Sequence, residues 1–95
     1  MKVKNLHGTS GRNCKCESWL AHWVRFTRNT QGTIFCAVTD CFEFATNGAH
    51  VIKVGSTNQD WYIVPLCDKH NKSEEILDIG TVPLAPAAVN KTCKL

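Results

Sequence analysis

Residues 61–70 read Trp61-Tyr62-Ile63-Val64-Pro65-Leu66-Cys67-Asp68-Lys69-His70, an aromatic and β-branched run that meets a proline and then a Cys-x-x-His pair. Aromatic and β-branched side chains suit a pleated surface, so the run predicts a strand. Pro65 cannot donate to a ladder and is expected to end it. Asp68 to Leu77 then has helical character, with Ser73, Glu74 and Glu75 on the wet side and Gly80 as the stop. A pair at this junction puts Cys67 and His70 on the first turn of a helix. Upstream, Cys36-Ala37-Val38-Thr39-Asp40-Cys41 supplies a second pair. Structural zinc takes four sulfur or nitrogen ligands in a tetrahedron, and local pairs separated by two to four residues can turn both side chains toward one point. Cys36, Cys41, Cys67 and His70 are therefore the expected ligands of one zinc ion.

Between the two pairs, Phe42 to Val54 mixes aromatic, β-branched and small residues, with Asn47-Gly48 as a turn signal inside it. Ala49–Val54 is expected to pair with Trp61–Val64 as a hairpin across the polar loop Gly55–Asp60. Thr33-Ile34-Phe35 enters the first cysteine pair as a short strand. Before it, Ser18 caps a helix over about Trp19 to Arg28, which groups Trp19, Leu20, Trp23, Val24 and Phe26 on one side and Ala21 and Arg25 on the other. The tryptophans read as core rather than as base-stacking platforms. Residues 1–13 are polar with glycine and serine and read as a flexible arm. Thr81 to Leu95 carries Pro83 and Pro86 and reads as an irregular wrap. The expected fold is a single α+β domain over residues 1–95. At its centre is a small zinc-bound treble clef, made of cysteine loop, hairpin and short helix, with an added N-terminal helix.

With 95 residues, a domain buries only about 60–65% of its unfolded surface and profits from a staple. Six cysteines and four histidines offer one. The choice between disulfides and metal follows the compartment. Met1 to Asn13 contains no apolar stretch of the kind a secretory signal requires, and no run approaches the length of a membrane span, so a cytoplasmic setting and metal are expected. Cys14-Lys15-Cys16 in an extended segment would turn both thiols to one face; joined by Cys93 and either His22 or His50 they would complete a second zinc site. The alternatives for these cysteines are core thiols or a redox pair, although no thioredoxin-like pattern supports a thiol redox protein.

Net charge is +3, unevenly spread: residues 1–35 hold six basic side chains against Glu17 alone, and the remainder holds five lysines against seven acids. Arg12, Lys15, Arg25 and Arg28 are the candidates for contact with nucleic acid or with an acidic protein surface. The plainer reading of the same charges is a solvated tail and helix face.

Residues 36–75 resemble the zinc-bearing HNH endonucleases, themselves treble clefs. The resemblance lies in the order of features: a cysteine pair, Ala49-His50-Val51-Ile52, then Ile63-Val64-Pro65-Leu66-Cys67 with a further ligand three residues on. It implies that His50 occupies the place of the general base that activates water, with Asn71 and Glu75 available to a catalytic ion. Two departures weaken the catalytic part. The residue before the histidine, a metal-binding His or Asp in the family, is Ala49, and the asparagine that orients the histidine is replaced by Tyr62. Without an anchored divalent ion a scissile phosphate lacks its Lewis acid. The expectation is a zinc-stabilised binding module without catalysis, the alternative an HNH-type metal-dependent nuclease.

Overall fold

The run that begins at Trp61 gives a strand from Tyr62 onward in the computed structural model, which describes residues 1–6, 18–28, 33–57 and 60–87. This strand, β3 (Tyr62–Leu66), pairs antiparallel with β2 (Asn47–Lys53), with His50 opposite Ile63 and Ala49 opposite Val64. The expected hairpin is thus present, and three further strands extend it. β1 (Lys2–Asn5) lies along the other edge of β2, β4 (Ile76–Asp78) pairs with β1, and β5 (Ala85–Pro86) pairs with β3. The result is a five-stranded antiparallel sheet of order β4-β1-β2-β3-β5. With α1 (Trp19–Thr27) and α2 (Asp68–Asn71), the architecture is α+β.

Period-two alternation sorts the side chains into two layers. Ile63 faces α1 and packs with Trp23 and Ala85, while Ala49, Val51, Val64 and Leu66 face the other way and pack with Val3, Cys36, Cys67, Leu77 and Ile79. The helix therefore covers β2, β3 and β5 on one side, and the cysteine loop and α2 belong to the other. α1 starts as expected: Ser18 Oγ accepts the Ala21 N–H at 3.0 Å, and Arg28 closes the helix in a left-handed conformation. Its buried side is centred on His22 and Trp23, whose indole N–H donates to the Pro83 carbonyl at 2.8 Å. Phe26, placed on the apolar side by sequence period, is exposed.

Several expectations are corrected. Lys2–Asn5 is not part of a loose arm, because Val3 is fully buried between β2 and β4; residues 7–13 lie outside the described residues. Asn47-Gly48 is no turn but the start of β2. A Cβ on Gly48 would stand 2.3 Å from the Leu20 nitrogen and the Trp19 carbonyl carbon, so the glycine admits the start of α1 against the sheet. Pro65 does not end β3. Its carbonyl accepts the Ala37 N–H at 2.8 Å and so points away from β2, where a missing N–H costs no ladder bond. The helix expected to reach Leu77 stops after Asn71, because the Ser73 hydroxyl accepts the Glu75 N–H at 3.1 Å and turns the backbone out of helical geometry. Ile76–Asp78 then forms β4, and Gly80 (φ +57°) turns the chain after it. Thr33–Phe35 contributes one bridge, Phe35 to Phe44, rather than a strand. The C-terminal wrap contains β5, and residues 88–95 lie outside the described residues.

Candidate metal centre

The cysteine loop is shaped by its own backbone. Cys36 N–H donates to the Glu43 carbonyl and Ala45 N–H to the Ile34 carbonyl, which draws the two arms of the loop together. At the tip, Cys41 N–H donates to the Val38 carbonyl at 3.0 Å, with Asp40 in a left-handed conformation (φ 65°) that Asp tolerates better than most residues. Two bonds fix the loop to the sheet: Ala37 N–H to the Pro65 carbonyl and Thr39 N–H to the Asp78 carbonyl, both 2.8 Å. β3 then delivers Cys67 at the N-cap of α2, and one helical turn delivers His70.

These elements bring together the four residues that spacing had singled out. The ligand atoms of Cys36, Cys41, Cys67 and His70 all lie within 4.8 Å of one another. His70 Nδ1 is 3.5 Å from Cys36 Sγ and 3.2 Å from Cys67 Sγ, and Cys41 Sγ is 4.0 Å from Cys67 Sγ. A tetrahedron with metal–sulfur bonds of about 2.3 Å and metal–nitrogen bonds of about 2.0 Å requires sulfur–sulfur edges of roughly 3.8 Å and sulfur–nitrogen edges of roughly 3.5 Å. The donor set and its spacing therefore fit one metal ion. The three cysteines are free thiols, and no other group of three or more Cys, His, Asp or Glu among the described residues could hold a metal.

The electrostatics match such a role. Burial pushes the Cys36 thiol up to about 11, against the hydrogen bonds from backbone that favour its thiolate. Burial acts on Cys67 in the same sense but is outweighed by the backbone N–H of His70 and by the Cys36 and Cys41 thiols, which hold Cys67 below the ordinary thiol value. A cation between them removes this conflict, since a coordinated thiol is deprotonated outright.

Asn5 was not legible as part of this region. Its side-chain amide donates to the Asn71 carbonyl and to Asn71 Oδ1 at 3.2 Å, and so ties β1 to the end of the helix that carries His70. The only sequence trace of it is the alternation in Lys2–Asn5, too short to read.

Among the described residues, none of the remaining candidates joins this cluster. His50 is buried on the α1 side of β2, edge-on to Trp19 at 4.5 Å and to Trp61 at 6.0 Å. Asn71 lies on the opposite side of the sheet, since it bonds Asn5, which stands opposite Val51 and shares its face. The sheet thus separates His50 from Asn71, and Glu75 is exposed beyond the Ser73 turn. His22 is buried, with Nε2 2.9 Å from the Pro86 carbonyl, and edge-on to Trp19. Cys14, Cys16 and Cys93, the thiols of the expected second site, lie outside the described residues, as do Arg12 and Lys15; Arg25 and Arg28 are exposed at the end of α1. No described helix is long and apolar enough to cross a membrane. Compared with protein-family models, with curated proteins and with solved structures, the chain finds no match in any of the three.

Proposed function

We propose that the chain is a structural-zinc module of treble-clef type, HNH-like in the order of its parts, that serves as a binding platform rather than an enzyme. The supporting observation is the closed set of four ligand atoms, three thiols and one imidazole nitrogen, at tetrahedral spacing. Thiolate-rich tetrahedral sites select zinc among the common divalent ions, and four protein ligands leave no open position for water or substrate. The order of elements around the ion, cysteine loop then β2, β3 and α2, supports the treble-clef reading. The catalytic alternative has no comparable support, because its general base and its metal ligand stand on opposite sides of the sheet and Ala49 offers no donor.

Native mass spectrometry of protein purified without chelator tests the reading. Wild-type chain should retain zinc at this site, and Cys67→Ser should lose one equivalent. Equal zinc content in the two proteins would sink it.

A further inference from the structure

The chain exposes every one of its phenylalanines and places its tryptophans inside or half inside. Three phenylalanines crowd onto the cysteine loop: Phe35 is 53% exposed, Phe42 84% and Phe44 63%. Phe35 and Phe44 are held side by side by the backbone bridge between them, ring centroids 5.5 Å apart and planes 34° apart. Phe42 follows Cys41 directly and lines an open groove with Val38, Asp40, Glu43 and Lys69. None of these rings belongs to either of the two core clusters. The Phe35–Phe44 pair and the nearby Phe42 thus leave exposed apolar surface on one backbone-fixed loop, a feature that marks interaction sites.

Charge selects the occupant. Residues 33–46 contain Asp40 and Glu43 and no basic side chain. On the far side of His70 a second groove is lined by Glu74, Glu75 and Asp78 against Lys69 and Lys72, and Lys72 already pairs with Asp68 at 3.0 Å. Around the Phe42 groove Asp40 and Glu43 outnumber Lys69, and a net negative lining repels phosphate, which disfavours nucleic acid on this face although the chain as a whole is basic. A second copy docked ring to ring would set Asp40 and Glu43 against their own images, and like charges across an interface are unfavourable. A basic polypeptide satisfies both features: its apolar side chain covers the rings, and its Arg or Lys meets the carboxylates and the ring faces.

We propose that the phenylalanine face of the cysteine loop, Phe35, Phe42 and Phe44 with Asp40 and Glu43, docks a basic polypeptide segment bearing an apolar anchor. The inference goes beyond the zinc reading and does not depend on which metal holds the loop.

Fluorescence anisotropy on the full metal-loaded chain tests it with four labelled probes: a short peptide of alternating Arg and Leu, its Glu/Leu and Arg/Ser counterparts, and oligothymidine. The Arg/Leu peptide should bind at least about ten-fold tighter than each of the others, as expected when aromatic anchors and charge act together. Phe42→Ala with Phe44→Ala should weaken it at least about ten-fold, because truncated central aromatics dominate such interfaces. Asp40→Asn with Glu43→Gln should weaken it and flatten its salt dependence, asparagine keeping the left-handed backbone at position 40. Phe42→Ser alone, at the most exposed ring, guards against loss of fold, and metal content is measured on every variant. The proposal is overturned by any of four outcomes: no peptide binding, equal binding of the Glu/Leu peptide, the Arg/Ser peptide or oligothymidine, indifference to the phenylalanine or carboxylate substitutions, or a chain dimer in sedimentation that Phe42→Ser dissolves. Metal loss in the wild-type chain with intact peptide binding would count against the zinc reading alone.

Discussion

At the scale of single residues, the four clustered Cys and His side chains and His50 carry different burdens. Cys67 is both N-cap of α2 and, at 3.2 Å from His70 Nδ1, nearer to that ring than Cys36, so its removal opens the cluster where strand meets helix. Apparent zinc binding in small metal domains is about 10–16 kcal/mol, comparable to or larger than the whole stability of about 5–15 kcal/mol expected of a folded domain. Cys67→Ala and His70→Ala should therefore abolish cooperative melting in calorimetry, and a retained sharp transition in either variant would contradict the assignment. His50 packs edge-on against Trp19 and Trp61. His50→Ala should cost about 2–4 kcal/mol through the cavity it leaves. Wild-type protein with magnesium or manganese should leave plasmid DNA intact. Metal-dependent cleavage that His50→Ala abolished in a folded protein would restore the catalytic alternative.

At the scale of elements, β1 and Gly48 show what pattern alone could and could not convey. The four clustered residues Cys36, Cys41, Cys67 and His70 were legible because metal coordination is a local rule: two short spacings name them without any knowledge of the sheet. The hairpin was legible because its strands are rich in β-branched and aromatic residues. β1 and β4 were not, since four and three residues are too few for a period to declare itself, and both exist only because β2 offers an edge and β1 then offers another. Ile76-Leu77-Asp78-Ile79 does alternate exposed and buried, but it follows a helix start, and so short a run reads equally as that helix's continuation. Gly48 misled for a related reason: Asn-Gly is a turn signal locally, whereas here the glycine is demanded by the helix crossing above it. Gly48→Ala should destabilise by at least about 1–3 kcal/mol, because the new methyl meets helix backbone that cannot step aside. Urea midpoints check this, and a neutral result would mean that α1 does not sit on β2 as described. Deleting residues 1–5 removes the strand between β2 and β4 with fully buried Val3, and the truncated chain should fail to fold rather than lose an idle arm. A truncated chain with the native midpoint would show β1 to be dispensable.

At the scale of the molecule, one sheet serves two layers, and that sharing links the metal to the opposite side. The ion would clamp the cysteine loop, the end of β3 and α2, all on the Val64 and Leu66 face, while Trp19 and Trp23 sit under α1 on the Ile63 face. The α1 layer is small: among the described residues its apolar cluster has three buried members, Trp23, Ile63 and Ala85. Zinc requires its thiols and imidazole deprotonated, so protons compete with the ion, and falling pH should release it while rising pH toward neutrality restores it. Chelation at neutral pH isolates the metal from this titration. If the ion holds only its own loop, tryptophan emission should not respond, because no tryptophan lies on that face. If the ion secures the sheet, chelation should free Cys67 and the end of β3, loosen the register with β2, and expose Trp19 and Trp23 although no bond joins them to the metal. The second outcome is expected: emission should shift to the red on chelation, return when zinc is restored, and follow the same curve as the loss of far-ultraviolet dichroism. Unchanged emission with the metal fully removed would confine the ion to a local clasp and leave the sheet to the hydrophobic layers alone.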